Sequence, residues 1–176
     1  VVNGATYEVT PTGTNWSLDL AASVPTSGTL GAFADGTYAV TATVTDEVGN
    51  TASTSVANAL VVDTTAPSAP TVDALTTNIG LPMITGTATL AVDEVLTVVV
   101  SGATYTVIPA GDNTWSVDLS AAVPTSGTLS PSPLTEDTYS VTATVTDNAG
   151  NTVNDVTTEE LIVDTTAPTA TPLLAL

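Results

Sequence analysis

The chain has 176 residues, 43% of them apolar, with 18 Asp and Glu and no Lys, Arg, His or Cys. Every side-chain charge is therefore negative, which excludes side-chain salt bridges and disulfides and removes the groups through which nucleic acid and anionic membranes are recognised. The usual bases and nucleophiles near neutral pH are missing too, which argues against an enzyme.

Strong acidity can accompany disorder, but here the apolar residues fall in strand-like alternation, and Thr, Val, Gly and Pro dominate. An all-β chain is expected. Taken in order, "GATYEVTPTGTNWSLDLAASVPTSGTL" at 4–30 is followed by "YAVTATVTDEVGNT" at 38–51 and by "VDTTAP" at 62–67. Seven strands are then predicted at about 70–75, 83–89, 94–101, 104–108, 114–120, 138–146 and 152–163.

These strands repeat what came before. "GATYTVIPAGDNTWSVDLSAAVPTSGTL" at 102–129, "YSVTATVTDNAGNT" at 139–152 and a second "VDTTAP" at 163–168 return with a period of about 100 residues. Residues 68–75, "SAPTVDAL", match the tail 169–176, "TATPLLAL". The expected organisation is part of one repeat with its linker at 1–67, a complete repeat at 68–164, and a linker with the first strand of another at 165–176. Such an order reads as an excerpt from a longer array, with any export signal outside it.

Within the complete repeat, Trp115, Val117 and Leu119 alternate with Ser116 and Asp118, and Tyr139, Val141, Ala143 and Val145 alternate with Ser140, Thr142 and Thr144. That is the pattern of a β-sandwich. Trp16 and Trp115 are expected in the core, and Tyr38 and Tyr139 at tyrosine corners. Residues 1–67 lack the leading strands and are expected to leave an inner face uncovered, completed by other sequence of the same chain or by a neighbour.

Alternating strand directions should bring Asp93, Glu94, Asp112 and the hairpin Asp147–Asn151 to the end where VDTTAP, with Asp63, enters. Carboxylate and amide oxygens converging from separate loops suit Ca2+, whereas zinc has no nitrogen or sulfur ligand here. The alternative is that these Asp residues only form turns, for which Asp-Asn-Ala-Gly-Asn is well suited without metal. Pro67 and Pro168 stiffen the link in either case.

The VDTTAP link, the VTATVTDNAGNT hairpin and the period together resemble the bacterial immunoglobulin-like (Ig-like) repeats that form the stalks of giant secreted adhesins, including the biofilm-associated and RTX-type adhesins exported by type I secretion. The resemblance implies tandem Ig-like β-sandwiches in a linear array, extracellular at the cell surface. Their role would be to project a distal adhesive domain for attachment or biofilm formation, with neighbouring repeats of the same chain as partners. It also implies calcium at the junctions, with Asp63, Asp147 and Asn148 as ligands, Asp93 or Glu94 completing the site, and Asp46 and Asp164 serving the junctions before and after. Glu47 stands where Asn148 has its counterpart in the first copy.

Two other functions fit the residues. The chain could be the subunit of an extracellular fibre built by strand exchange, or a module binding sugar, ice or protein on a Thr face such as Thr142, Thr144 and Thr146.

Overall fold

The computed structural model describes residues 1–169. The chain divides between Thr65 and Ala66 into two compact units. Every regular element among the described residues is a strand. From residue 170 on, the leading strand expected at the tail lies outside the described residues.

The first unit holds β1 (Ala5–Thr6), β2 (Ser27–Gly28), β3 (Gly36–Thr45) and β4 (Thr51–Val62). β3 and β4 form a long antiparallel ribbon, from Gly36↔Val62 to Thr45↔Thr51, with a bulge between Tyr38 and Val40. β1 pairs with β2. Gly28 makes this approach possible, because its φ is +74° and a Cβ there would lie 2.2 Å from the Gly4 carbonyl oxygen.

The second unit begins with β5 (Thr71–Val72), β6 (Leu75–Thr77), β7 (Met83–Thr87), β8 (Val95–Val100), β9 (Ala103–Val107) and β10 (Thr114–Asp118). It continues with β11 (Ser126–Gly127), β12 (Asp137–Tyr139), β13 (Val141–Thr146), β14 (Thr152–Asn154) and β15 (Leu161–Val163). Their order is β10-β7-β5 in one sheet, β11-β9-β8-β13-β14 in another, and β12-β15-β6 in a third. The third continues the second, since β12 and β13 are one strand interrupted at Ser140. β15 runs parallel to β6, Leu161 facing Leu75, which ties the last strand of the unit to its second.

The predicted alternation builds the core. Trp115 and Val117 of β10 meet Leu96, Val98 and Val100 of β8 and Val141, Ala143 and Val145 of β13, all buried. Trp115 also donates from Nε1 to the Thr71 carbonyl oxygen at 3.1 Å, so its one polar atom is satisfied inside. Gly86 lies between them, where a Cβ would stand 2.0 Å from the Thr71 oxygen and 2.5 Å from the indole ring.

Two expectations need correction. Trp16 is 50% exposed whereas its counterpart Trp115 is 2% exposed. The first unit has no counterparts of β5 and β7, and these are the strands that supply the lid over Trp115. Only Val2 and Ala5 are buried in that unit, so its inner face is uncovered as expected.

The strand predicted at 152–163 is also broken, into β14 and β15. Ala143 donates its N–H to Asp155 Oδ1 at 3.1 Å and Val141 donates to Glu160 Oε2 at 3.0 Å, so side chains replace the ladder between these pieces. In the first unit Thr54 and Ala59 stand at those positions; the ladder continues through Thr41↔Ser55 and Val40↔Val56 and is interrupted only by the bulge before Tyr38↔Leu60, where Ala59 lies. Glu160 is buried, and its Oε1 has no hydrogen-bond partner among the described residues.

Equal residues in unequal surroundings give a direct test. Trp115→Ala should lower unfolding free energy by about 3–5 kcal/mol in urea melts, as for a filled aromatic site. Trp16→Ala should cost well under half of that.

Candidate functional site

The acidic residues of the loops are best read from their own turns outward. Asp147 closes the β13–β14 hairpin: its Oδ1 accepts from the N–H of Ala149 and of Asn151, both at 2.9 Å, and its Oδ2 accepts from Asn151 Nδ2 at 2.8 Å. Asp46 repeats this in the first unit, accepting from Val48 N, Asn50 N and Asn50 Nδ2. Each Asp thus holds a five-residue turn together.

At the incoming end of the second unit three such turns lie side by side. The registers Thr87↔Thr114, Thr71↔Thr87, Leu96↔Val107, Val95↔Thr146 and Thr146↔Thr152 put loops 88–94, 108–113 and 147–151 at the end where the chain enters β5. This is the grouping of loops the sequence predicts for Asp93, Glu94, Asp112 and Asp147.

The carboxylates, however, are engaged locally. Glu94 Oε2 accepts from Ala91 N at 2.7 Å, and Asp112 Oδ1 accepts from Thr114 N and Thr114 Oγ1. Asp93 and Asn148 are exposed, Asp93 with φ +68°. Among the described residues no three Asp or Glu side chains gather closely enough to hold one ion. Asp63 lies in the first unit, where its Oδ1 accepts from Thr65 N at 3.0 Å, and Asp164 does the same for Thr166 N at 2.9 Å.

A second cluster, not predicted, explains why the phrase VDTTAP recurs. Asp35, at the turn before β3, accepts from Thr64 N at 2.8 Å and Thr64 Oγ1 at 2.7 Å on Oδ1, and from Thr65 Oγ1 at 2.7 Å on Oδ2. Its counterpart Glu136 accepts from Thr165 Oγ1 at 3.0 Å on Oε2 and from Thr166 Oγ1 on both oxygens, at 2.8 and 2.6 Å. In both copies one carboxylate clamps both threonines of the outgoing link, while the Asp of the phrase caps the turn.

The tyrosines anchor the same region. Tyr38 donates to the Ala34 carbonyl and accepts from Ala34 N, and Tyr139 does so with Thr135. These are the expected tyrosine corners. They fix the turns that carry Asp35 and Glu136.

Two family descriptions match the chain: "Bacterial Ig-like domain (group 3)" over residues 29–118, which is more than half of it, and "Bacterial Ig-like domain" over residues 84–165. The chain belongs to the bacterial Ig-like domains. No curated protein matches it. Domains of this family are commonly found in extracellular or surface proteins and are typically non-catalytic structural modules. In this bacterial Ig-like chain the first match runs through the link at 62–67, so the clamp of Asp35 on Thr64 and Thr65 lies within the matched stretch.

The electrostatics follow from these hydrogen bonds. The Thr65 hydroxyl, then the hydroxyl and N–H of Thr64, hold Asp35 below the usual carboxylate range. The Thr166 and Thr165 hydroxyls lower Glu136. The side-chain amides of Asn151 and Asn50 chiefly lower Asp147 and Asp46. Groups lowered on folding contribute stability that is fully present above the unfolded carboxylate range, about pH 4, and is lost as pH falls through their folded values.

Asp35→Ala should therefore speed exchange of the Thr64 amide by about tenfold at neutral pH, read by hydrogen exchange, because an open link exchanges as a loop does. Acidification should bring the unmodified chain toward the variant, while the variant itself stays unchanged by titration of residue 35.

Proposed function

We propose that this chain is a stretch of the stalk of a large bacterial surface adhesin, of the kind exported by type I secretion. Its repeats would hold a distal adhesive domain away from the cell for attachment or biofilm formation. The observation that carries this reading is the duplicated clamp. Each copy ties its outgoing VDTT to its own last strands through a single carboxylate and continues into Ala-Pro, a link built to leave in a set direction rather than to flex. The second unit also receives the chain at one end and releases it beside Glu136 at the other, as a serial spacer requires.

Calcium at the junctions belongs to the same proposal. The donor chemistry supports it: Asp63, Asp93, Glu94, Asp147 and Asn148 offer only oxygen and amide groups on exposed loops, and nothing basic competes for them. Asp147 Oδ2 accepts a single hydrogen bond, which leaves it acceptor capacity toward a hard cation. Asp46 and Asp164 stand in the corresponding places for the junctions on either side.

In millimolar calcium the chain should melt several degrees higher than in chelator, and its small-angle scattering should report a stiffer particle. Asp63→Asn with Asp147→Asn should reproduce the chelator's effect in the presence of calcium. Identical melting and scattering with and without the ion would remove calcium from the proposal and leave these residues as turn formers.

A further inference from the structure

In the second unit the strand that follows the entering link and the strand that precedes the leaving link lie side by side. β6 and β15 pair in parallel, with Leu75↔Leu161, Thr76↔Ile162 and Thr77↔Val163. Two hydrogen bonds bracket the pair, from Leu75 N to the Glu160 carbonyl at 2.7 Å and from Asp164 N to the Thr77 carbonyl at 2.9 Å. Leu161 and Val163 are buried, which sets one side of β15 in the core, and β12 holds its other edge from Leu161↔Tyr139 to Val163↔Asp137.

Strand direction decides how this pair meets a pull. β13 ends in the loop 147–151 at the incoming end, so β15 runs back toward the outgoing end, and β6, parallel to it, runs the same way. Tension applied through the links would draw β6 by its first residues toward the incoming end and β15 by its last residues toward the outgoing end. The two strands must then slide along each other. All the evenly spaced bonds of a parallel pair stretch together in such a slide, whereas a pull across the strands opens them one after another.

Glu160 fastens the trailing end of β15 on two sides. Its carbonyl accepts from Leu75 N in β6, and its carboxylate Oε2 accepts from Val141 N in β13 at 3.0 Å. The residue is 4% exposed, and its Oε1 has no hydrogen-bond partner among the described residues. A slide of β15 toward the outgoing end takes the carboxylate off Val141 N while both are enclosed, which leaves a buried donor and a buried acceptor without partners. We propose that the β6–β15 pair is the load-bearing joint of this repeat and that Glu160 is its latch. The source of the tension rests on the stalk reading, but the resistance belongs to the sandwich and is measured without it.

The chain has no Cys, so introduced thiols give unique handles for optical tweezers on the full chain. Ser68→Cys with Ala167→Cys pulls along β6 and β15, and Ser68→Cys with Ala149→Cys pulls from two points at the incoming end. At one constant load the second unit should unfold at least about tenfold more slowly in the first geometry. Glu160→Ala orphans a buried N–H, and should speed end-to-end unfolding about tenfold while changing the same-end rate less than about threefold. Glu160→Gln keeps an acceptor for Val141 N, and Asp155→Ala strips the acceptor of Ala143 N off the loaded path. Each should leave the end-to-end rate within about threefold of the unmodified chain.

Equal rates in the two geometries would overturn the load-bearing pair. An effect of Glu160→Ala that is the same in both geometries, or that Asp155→Ala matches, would overturn the latch and leave Glu160 an ordinary stabilising residue. A chain that resists as expected yet bends freely in scattering would sink the stalk reading and keep the joint.

Discussion

A carboxylate that has no cation to pair with must be held by N–H and O–H donors, and in this chain that requirement shapes nearly every turn. Asp46 and Asp147 take backbone and Asn amides, Asp112 takes Thr114, Asp118 takes Ser120, and Asp35 and Glu136 take the threonines of the outgoing links. The abundance of Thr and the abundance of acid are thus two halves of one arrangement. At these positions the charge is spread over short hydrogen bonds, which helps offset the self-repulsion of a net charge of −18.

The same arrangement gives the repeat its mechanical sense. Between the end of β4 or β15 and the Pro of the link lie only a capped turn and two threonines, and those threonines are bound to the domain they are leaving. An outgoing segment so held behaves as part of the sandwich, and the free length is reduced to Ala-Pro. A tyrosine corner four residues downstream of Ala34, and another downstream of Thr135, fixes the turn that presents the clamping carboxylate. In the proposed stalk, function would lie in direction and spacing rather than in a pocket.

Comparison of the two copies separates what a sequence stretch does alone from what its neighbours impose. The ribbon of β3 and β4 forms without a facing sheet, because cross-strand pairs such as Thr41 with Ser55 are local to the hairpin. The second copy surrenders part of that ladder, and Asp155 and Glu160 take over the N–H groups of Ala143 and Val141. Its core is complete even so, since β8, β7 and β5 bury the apolar face that the first copy leaves open.

By itself the sequence determined the all-β class, the period, the inward sets of the strands at 114–120 and 138–146, the tyrosine corners and the grouping of loops at one end. All of these follow from residue alternation, turn chemistry and repetition, which are local. Tertiary structure alone decided that Trp16 is half exposed while Trp115 is buried, since burial depends on strands distant in the chain. It also decided that Asp35 and Glu136 close on the links. An acidic residue shortly before each tyrosine was visible in both copies, but its partners lie 29 and 30 positions away, and no local pattern encodes that return. The loop carboxylates were legible as neighbours, whereas the acceptance of in-turn hydrogen bonds by Glu94, Asp112 and Asp147 was visible only in the structure.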